Sequence, residues 1–312
     1  MFWQKYEDGD GISCIKVTGL GKYSLKDTLE CGQCFRHRLI SDEDGEVKYM
    51  TVVGEELVFV SQRTEGELIF RGTTEEVFLS RLVTYFSLES DLEFIKRDVI
   101  SHTDSEWLKC AAERGEGIAI LKQDEWEALF SFIVSQNNNI PRIKKIIGQI
   151  SAAYGVNLCL QKGIKKCPLS KIEGTPCDEN CKECGACYTF PTALDVISNP
   201  ERLLPSHPGF RYKYLIDAAE RVASGMTDLK RIAERKSYSY TLSELTKILG
   251  VGNKVASCAA LFGFGNLEAF PIDVWMKRAI DEYFGGKLDP LTLGKYAGIA
   301  QQYIFHYIRE NG

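Results

Sequence analysis

The chain has 312 residues, of which 44% are hydrophobic and 26% charged, the composition of a globular protein with a substantial core. No apolar run reaches the ~18 residues that suggest a membrane span, and the start, MFWQKYEDGDG, lacks the features of a signal peptide. We therefore predict an intracellular protein, cytoplasmic in a prokaryote and nuclear in a eukaryote. The net charge of −5 argues against a nucleic-acid coat protein, but a DNA enzyme needs only a local basic face.

The first third of the chain has the pattern of a β-sheet. Runs of β-branched and aromatic residues at 49–53, 57–61 and 67–71 are separated by turn residues such as Gly54 and Gly66. This meander predicts an antiparallel sheet with one face covered. From Thr74 the apolar residues recur with the spacing of helices. We predict a first domain of α+β type at residues 1–105.

The rest of the chain has an almost entirely helical pattern. We predict helices at 107–114, 124–136, 142–154, 192–198, 213–224, 229–236, 242–250, 253–264, 273–283 and 293–309. A sheet followed by a run of helices indicates an α+β fold, with a second, all-α domain at residues 106–312.

Cysteines crowd one segment, about 155–187, which interrupts the helical pattern as an insertion. The chain has eleven cysteines and no secretion signal, so disulfides are disfavoured and a metal site becomes the sharper hypothesis. Four thiolates would close a tetrahedral zinc site, with an iron–sulfur cluster as the second choice. A Cys-rich loop without metal is the alternative. The predicted ligands are Cys177, Cys181, Cys184 and Cys187.

The most informative stretch is 245–278, which begins with a Gly-rich turn. Gly250 and Gly252 flank Val251, and we expect both glycines to permit a positive φ and close approach by another backbone. A helix that starts near Asn253 would present free N–H groups and the positive end of its dipole, which suit a phosphate. A plain helix–helix turn is the alternative.

Lys254 follows this turn, on the first turn of the predicted helix. The dipole and burial both favour a free amine there, and a free amine is a nucleophile. Asp273, nineteen residues later, could stabilise positive charge developing on a substrate. This arrangement resembles the helix–hairpin–helix DNA glycosylases. The resemblance implies that the hairpin grips the DNA backbone, that Lys254 attacks the sugar C1′, and that Asp273 supports the reaction without a cofactor.

A second motif narrows the resemblance to one family. Residues 30–36, ECGQCFR, resemble the Gly-Gln-x-Phe-Arg element of the 8-oxoguanine DNA glycosylases, although a strand entry with a glycine bulge is the alternative. The resemblance implies that the Gly32 carbonyl accepts a hydrogen bond from N7–H, which normal guanine lacks. It also implies that Gln301 reads the Watson–Crick edge while Cys258 and Phe305 sandwich the base. Gln301 and Phe305 share one helix face, where core packing is the alternative.

The run NNNIPR at 137–142 matches the same family. We expect the three asparagines to break the preceding helix and Pro141 to bias Ile140 toward extended geometry, with a plain C-cap and turn as the alternative. The resemblance implies that Asn137 fills the space left by a flipped base and that Arg142 reads the stranded cytosine.

Phe210-Arg211 matches a further element of the family. The resemblance implies that the Phe210 ring wedges into the base stack and that Arg211 is a second reader of the cytosine. A role for Phe210 in packing at the start of a helix is the alternative. Tyrosine is expected at position 210 in animal members, but wedging needs only the ring.

These matches together predict a bifunctional enzyme that removes 8-oxoguanine opposite cytosine and nicks the DNA by β-elimination. Its partner would be double-stranded DNA containing the lesion, with no membrane, and the enzyme would act as a monomer. One alternative is a glycosylase of the same superfamily for another damaged or mismatched base, which comparing excision across a lesion panel would detect. Another is a non-catalytic DNA-binding module, which measurable turnover would eliminate.

Overall fold

The computed structural model describes residues 1–167, 169 and 185–311. Six β-strands lie in the first quarter of the chain: β1 Phe2–Glu7, β2 Ser13–Thr18, β3 Arg38–Glu43, β4 Glu46–Val53, β5 Glu56–Gln62 and β6 Leu68–Arg71. They form one antiparallel sheet in the order β1-β2-β6-β5-β4-β3. The predicted turn at Gly54 is confirmed, because Val53 pairs with Glu56 across it.

Helices make up most of the remaining described chain. Among these residues, no helix is long and apolar enough to cross a membrane. The α-helices are α1 Leu25–Glu30, α2 Glu75–Val77, α3 Val83–Tyr85, α4 Leu92–Ser101, α5 Glu106–Arg114, α6 Glu125–Val134, α7 Ile140–Tyr154, α8 Leu158–Gln161, α9 Ala193–Ser198, α10 Tyr212–Ala223, α11 Leu229–Arg235, α12 Tyr238–Leu245, α13 Asn253–Phe262, α14 Val274–Phe284 and α15 Ala297–Asn311. A π-helix, Phe78–Leu82, joins α2 to α3, and 3-10 helices occur at Pro200–Ser206, Gly209–Arg211 and Pro290–Tyr296.

The predicted α+β class is confirmed, but two predicted helices have wrong boundaries. The helix expected at 242–250 is α12, which starts earlier because the Ser237 side chain accepts a hydrogen bond from the Tyr240 N–H at its first turn. The helix expected at 293–309 starts only at Ala297, because Gly294 has a φ of 68° and interrupts the helical backbone.

Both faces of the sheet carry apolar contacts. Val58, Val60 and Phe70 face the main core, which continues without a break through the helices of the second half. Met50, Val52 and Leu57 instead pack against both ends of the Cys-rich insertion, at Leu158, Cys159, Ala186, Cys187 and Tyr188. The expectation of a single covered face was therefore wrong for β4 and β5. The division into two domains at residue 105 stays a prediction.

Candidate active site

One pocket collects six residues that the sequence analysis assigned to catalysis and base binding. They come from the α1–β3 connection, from α13, from the N-terminus of α14 and from α15. The six lie up to 273 positions apart in the chain and are Gly32, Lys254, Cys258, Asp273, Gln301 and Phe305. Cys31, Phe132, Phe262, Pro271 and Gln302 complete the wall.

Lys254 lies on the first turn of α13 and is half-buried. Its Nζ donates a hydrogen bond to Ser135 Oγ at 3.3 Å and lies 5.7 Å from the centre of the Phe132 ring. Neither contact was predicted from the sequence. Ser135 and Phe132 precede the NNNIPR motif by only a few residues, but their proximity to Lys254 is a tertiary feature.

Cys258 lies one turn after Lys254 on the same helix, with its side chain in the pocket. Burial raises the pKa of the Cys258 thiol, and the charge and hydrogen bond of Lys254 only partly oppose this shift. The side chain is therefore a neutral thiol at neutral pH, with a polarizable sulfur on the pocket wall.

Asp273 is the N-cap residue of α14. Its Oδ1 accepts a hydrogen bond from the Met276 N–H at 2.8 Å, which fixes the carboxylate at the positive end of the helix. Across the described chain, no ion pair within 4.0 Å joins Asp273 to Lys254. The Asp273 carboxylate and the Lys254 amine thus line the same pocket without forming an ion pair with each other.

The Gly32 turn forms another wall of the pocket. Gly32 has a φ of +86°, and a Cβ there would lie 3.3 Å from Ile140 Cδ1 and 3.4 Å from Phe305 Cε1. The buried Gln33 side chain holds this turn, because its Nε2 donates to Thr28 O and Ala119 O, both at 2.8 Å. The positive φ favours glycine at position 32, and a Cβ there would also need Ile140 or Phe305 to shift by a few tenths of an ångström.

The last helix, α15, supplies three residues of the pocket wall. Gln301 and Gln302 are both buried, and Gln302 Nε2 donates to Gln301 Oε1 at 2.8 Å. Arg309 ties the end of α15 to the Gly32 turn by donating from Nη1 to Glu30 O at 2.8 Å. Its guanidinium also lies 5.7 Å from the centre of the Phe305 ring.

The two glycines of the hairpin that precedes Lys254 differ in backbone conformation and in the space around them. Gly250 has a φ of +77°, and a Cβ there would overlap the Tyr214 ring. Gly252 has a φ of −91° with extended ψ, so the expectation of a positive φ at this position was wrong. No described atom lies within 4 Å of where a Gly252 Cβ would stand. Because no described side chain caps α13, the hairpin offers an open surface next to free N–H groups.

The asparagine run lies between α6 and α7. Asn137 has a φ of 47°, in the left-handed region that asparagine tolerates. Asn139 is the N-cap of α7, and its Oδ1 accepts from the Arg142 N–H at 3.0 Å. Ile140 is helical, so the expectation of an extended residue before Pro141 was wrong. The first helical turn needs no N–H from proline, and the extended residue is Asn139 instead.

Arg211 is buried beneath this run, with only 4% of its surface exposed. Its guanidinium donates to the carbonyl oxygens of Gln136, Asn137 and Pro208. Burial and the charge of neighbouring Arg142 lower the pKa of Arg211. In this conformation Arg211 therefore holds the backbone at Asn137, and its reading of a cytosine stays a prediction.

Phe210 and Arg142 both lie on the surface near that run. Phe210 is 48% exposed, and the Arg211 guanidinium lies 4.5 Å from the centre of its ring. Arg142 is exposed on the first turn of α7. Exposure leaves both side chains accessible, and their contacts with DNA stay predictions.

Two groups of side chains have the chemistry of metal ligands. Of the predicted cysteine ligands, Cys177, Cys181 and Cys184 lie outside the described residues, while Cys187 is buried against the sheet. A second group, Asp27, His306 and Glu310, has ligand atoms within 4.8 Å of one another. Within this group Glu310 lies 3.4 Å from His306 and pairs with Arg114 at 3.2 Å, so its carboxylate already has two neighbouring partners.

A larger cavity of about 880 Å³ lies against the sheet. Its wall includes Tyr6, Asp8, Phe59 and Arg71, and Lys162 borders it from the insertion. Among the residues described, the two cavities have no wall residue in common. The larger cavity is thus separate from the Lys254 pocket.

Comparison with known protein families and sequences agrees with this geometry. Residues 17–129 match the family model described as 8-oxoguanine DNA glycosylase, N-terminal domain. The chain is 28% identical to the N-glycosylase/DNA lyase of Saccharomyces cerevisiae, covering 86% of this chain and 64% of the yeast protein. It is 26% identical to N-glycosylase/DNA lyase OGG1 of Arabidopsis thaliana, covering 89% of this chain and 75% of the plant protein.

Solved structures extend the similarity to the whole chain. The structure of MBOgg1 in complex with a low-affinity DNA ligand has a TM-score of 0.81 and 35% identity, covering 100% of both chains. The Clostridium acetobutylicum 8-oxoguanine glycosylase/lyase, in complex with DNA that carries cytosine opposite 8-oxoguanine, has a TM-score of 0.81 and 31% identity. That match covers 100% of this chain and 98% of the Clostridium chain. The chain belongs to the 8-oxoguanine DNA glycosylase/lyase family.

Proposed function

We propose that this protein removes 8-oxoguanine from double-stranded DNA, preferentially opposite cytosine, and then nicks the strand at the resulting site. The observation that carries the proposal is that one pocket brings together Lys254, Asp273, Gly32, Gln301 and Phe305. A DNA-binding module needs neither a half-buried amine nor a facing carboxylate. The pocket can act on a base only after the damaged nucleotide is flipped out of the duplex, which costs roughly a few kcal/mol in unstacking.

Lys254 is the nucleophile in this proposal. The lone pair of its neutral amine forms a bond to C1′, and the C1′–N9 bond breaks with its electron pair leaving on the base. The base takes up a proton at N9 as the lysine nitrogen loses one. Opening of the C1′–O4′ bond, with protonation of O4′, then gives the C1′=N imine. No cofactor enters these steps.

Strand cleavage follows from the same imine. Loss of a proton from C2′ lets the C3′–O bond break, and its electron pair leaves with the 3′ phosphate. Water then hydrolyses the C1′=N bond and releases Lys254. Asp273 stabilises the positive charge that develops on the sugar as the base departs, and its cap on α14 keeps the carboxylate oriented for this role.

Base recognition in this proposal depends on the Gly32 carbonyl. It accepts N7–H of the oxidised base, where normal guanine presents a bare acceptor and is repelled. Gln301 reads the Watson–Crick edge, and Cys258 and Phe305 enclose the two faces of the ring. The support for these roles is that all four side chains or backbone groups line the Lys254 pocket.

The DNA around the lesion contacts two other surfaces in the proposal. The hairpin at Gly250, Val251 and Gly252 binds a backbone phosphate through free N–H groups of α13. Phe210 wedges into the stack and Arg142 reads the orphaned cytosine through its N3 and O2 acceptors. Asn137 occupies the space of the flipped base, and Arg211 supports it from below in the conformation described here.

Borohydride trapping tests this function directly. Borohydride reduces the imine and leaves wild-type protein covalently attached to DNA that contains 8-oxoguanine. Lys254→Gln is expected to abolish the crosslink while keeping affinity for the lesion. Lys247→Gln is the matched control, because Lys247 is an exposed lysine paired with Glu244 at 2.7 Å near the same hairpin. If wild-type protein gives no crosslink, the proposal is wrong.

We further propose a structural metal in the Cys-rich insertion, zinc in preference to an iron–sulfur cluster. The support is the ligand-like spacing of Cys177, Cys181, Cys184 and Cys187. Metal analysis of purified protein is expected to find about one zinc per chain, and protein without metal would contradict this proposal.

We also propose that the protein acts as an intracellular monomer.

A further inference from the structure

We infer that Ser135 is a positioning residue for Lys254, holding the amine so that its lone pair is directed at the bound sugar. This inference rests on the proposed function, in which Lys254 is the nucleophile. Ser135 is the C-cap residue of α6, and only 9% of its surface is exposed. It therefore belongs to a rigid part of the core and reaches Lys254 from a different helix.

The hydroxyl of Ser135 has two neighbours with fixed roles. Its Oγ lies 2.8 Å from the Phe132 carbonyl oxygen and 3.3 Å from Lys254 Nζ. A hydroxyl has one proton and two lone pairs, whereas a carbonyl oxygen can only accept. The proton must therefore be donated to Phe132, so Ser135 can only accept a hydrogen bond from Lys254.

The direction of this hydrogen bond matters for the reaction. An amine nitrogen that donates to Ser135 points an N–H bond at Oγ, so its lone pair points elsewhere. If the hydroxyl donated to the amine instead, it would occupy the lone pair that attacks C1′. The bond from Ser135 to Phe132 prevents that arrangement and leaves the nucleophilic electron pair available.

The other neighbours of Nζ hold it less directionally. The centre of the Phe132 ring lies 5.7 Å from Nζ and presents only its diffuse π face to the N–H groups, and the Cys258 thiol is a weak acceptor. Without the Ser135 hydroxyl, the long lysine side chain would rotate among several orientations of its amine. Misplacing a reacting group by about 1 Å can slow a reaction by about 100-fold.

A pair of variants with the same shape isolates the hydroxyl. Ser135→Thr keeps it, and in a helix the threonine Oγ1 can bond the carbonyl three or four residues back. Ser135→Val replaces it with a methyl group. Base excision is measured under single-turnover conditions at saturating enzyme, together with borohydride trapping and affinity for lesion DNA. We expect Ser135→Val to be about 10-fold or more slower than Ser135→Thr, with affinities equal to within about 2-fold.

Ser206→Ala is the matched control. Ser206 is also buried, and its hydroxyl donates to the carbonyl oxygen of Leu203, three residues back, at 2.7 Å. Removing this hydroxyl is expected to leave the excision rate at the wild-type value. Ser135→Ala, which only removes atoms, is compared with this control if both branched variants fail to fold, and it should show the same slow excision.

Equal excision rates for Ser135→Thr and Ser135→Val would overturn the inference, as would a defect confined to DNA affinity. Either result would mean that Ser135 only packs. Failure of the underlying function is a separate outcome, because wild-type protein itself would then give no excision and no crosslink.

Discussion

At the scale of single residues, the base pocket depends on the absence of a Cβ atom at Gly32. An alanine methyl group at this position would stand between Ile140 and Phe305, in the space where the base is proposed to lie. The positive φ adds a second penalty, because left-handed backbone costs an L-residue roughly 1–2 kcal/mol. The two effects act on different properties, since the strain lowers stability and the methyl group narrows the pocket.

Gly32→Ala is therefore expected to lower the melting temperature and also to slow excision of 8-oxoguanine by at least about 10-fold. Gly265→Ala separates the two effects. Gly265 has a φ of +71°, but a Cβ there meets only Lys122 carbons at 3.6 Å or more. It should lose comparable stability and keep the wild-type excision rate. Equal excision by the two variants would contradict the role of Gly32 in the pocket.

The sequence predicted the pocket residues that carry recognisable chemistry, but not those that hold them. Gly32, Lys254 and Asp273 stand in local motifs with characteristic spacing, so a family resemblance finds them. Ser135 contacts Lys254 from 119 positions away, and no local pattern encodes that distance. The hydrogen bonds of the buried Gln33 to Thr28 and Ala119 could not be predicted either, because only the fold brings those carbonyl groups together.

At the scale of elements, the two glycines of the hairpin have different roles. Gly250 matters for folding, and Gly252 borders the surface proposed to bind DNA. Gly250→Ala is expected to destabilise the protein, because its methyl group would overlap Tyr214 and its φ is positive. Gly252→Ala should leave the melting temperature nearly unchanged, because its φ of −91° suits alanine and the space around it is open.

The same Gly252→Ala variant is expected to weaken binding to any duplex, damaged or not, by several-fold. Its methyl group would stand where a phosphate approaches, and phosphate contacts carry no sequence information. Affinity for lesion and undamaged DNA, measured at one salt concentration, checks this expectation. A loss of affinity for lesion DNA alone would contradict the assignment of the hairpin to the backbone.

Helix positions followed from the sequence more reliably than helix ends did. The period of apolar residues located α5, α6, α7 and α13 to within a few residues. The ends depend on caps, and serine or asparagine side chains become caps only when the backbone turns beside them, as at Ser237 and Asn139. Packing of the insertion on β4 and β5 was not predictable, because that contact joins segments about a hundred residues apart.

At the scale of the whole molecule, a polar network around the buried His37 makes stability depend on pH. Lys144 Nζ donates to His37 Nε2 at 2.6 Å and lies 3.3 Å from Glu30 Oε2. His37 Nδ1 therefore carries the proton and contacts Cys34 Sγ at 3.2 Å. Burial, helped by the charge of Lys144, lowers the pKa of His37 to about 4, although Glu30 opposes the shift. The folded protein thus keeps His37 neutral in mildly acidic solution.

An unfolded chain protonates this histidine near pH 6.5, whereas the folded protein does so only near pH 4. Between these values the unfolded state binds more protons, so stability falls as the pH is lowered. Urea unfolding at pH 7 and pH 5 is expected to show a loss on the order of 1–2 kcal/mol from this group. His37→Gln should flatten the dependence, while replacement of the exposed His207 with Asn should not. An unchanged slope in His37→Gln would refute this account.

The hydrogen bond from Arg309 to Glu30 spans 279 positions and has a consequence for how the protein is made. During synthesis, the Gly32 turn leaves the ribosome long before α15 exists to face it. Closing so long a loop costs entropy that grows with the logarithm of its length, about 5 kcal/mol for ~280 residues, and such distant contacts slow folding. The hairpin and Lys254 are therefore synthesised before the base pocket can form. Recognition of damage is expected to appear in one late step, when the final helix docks.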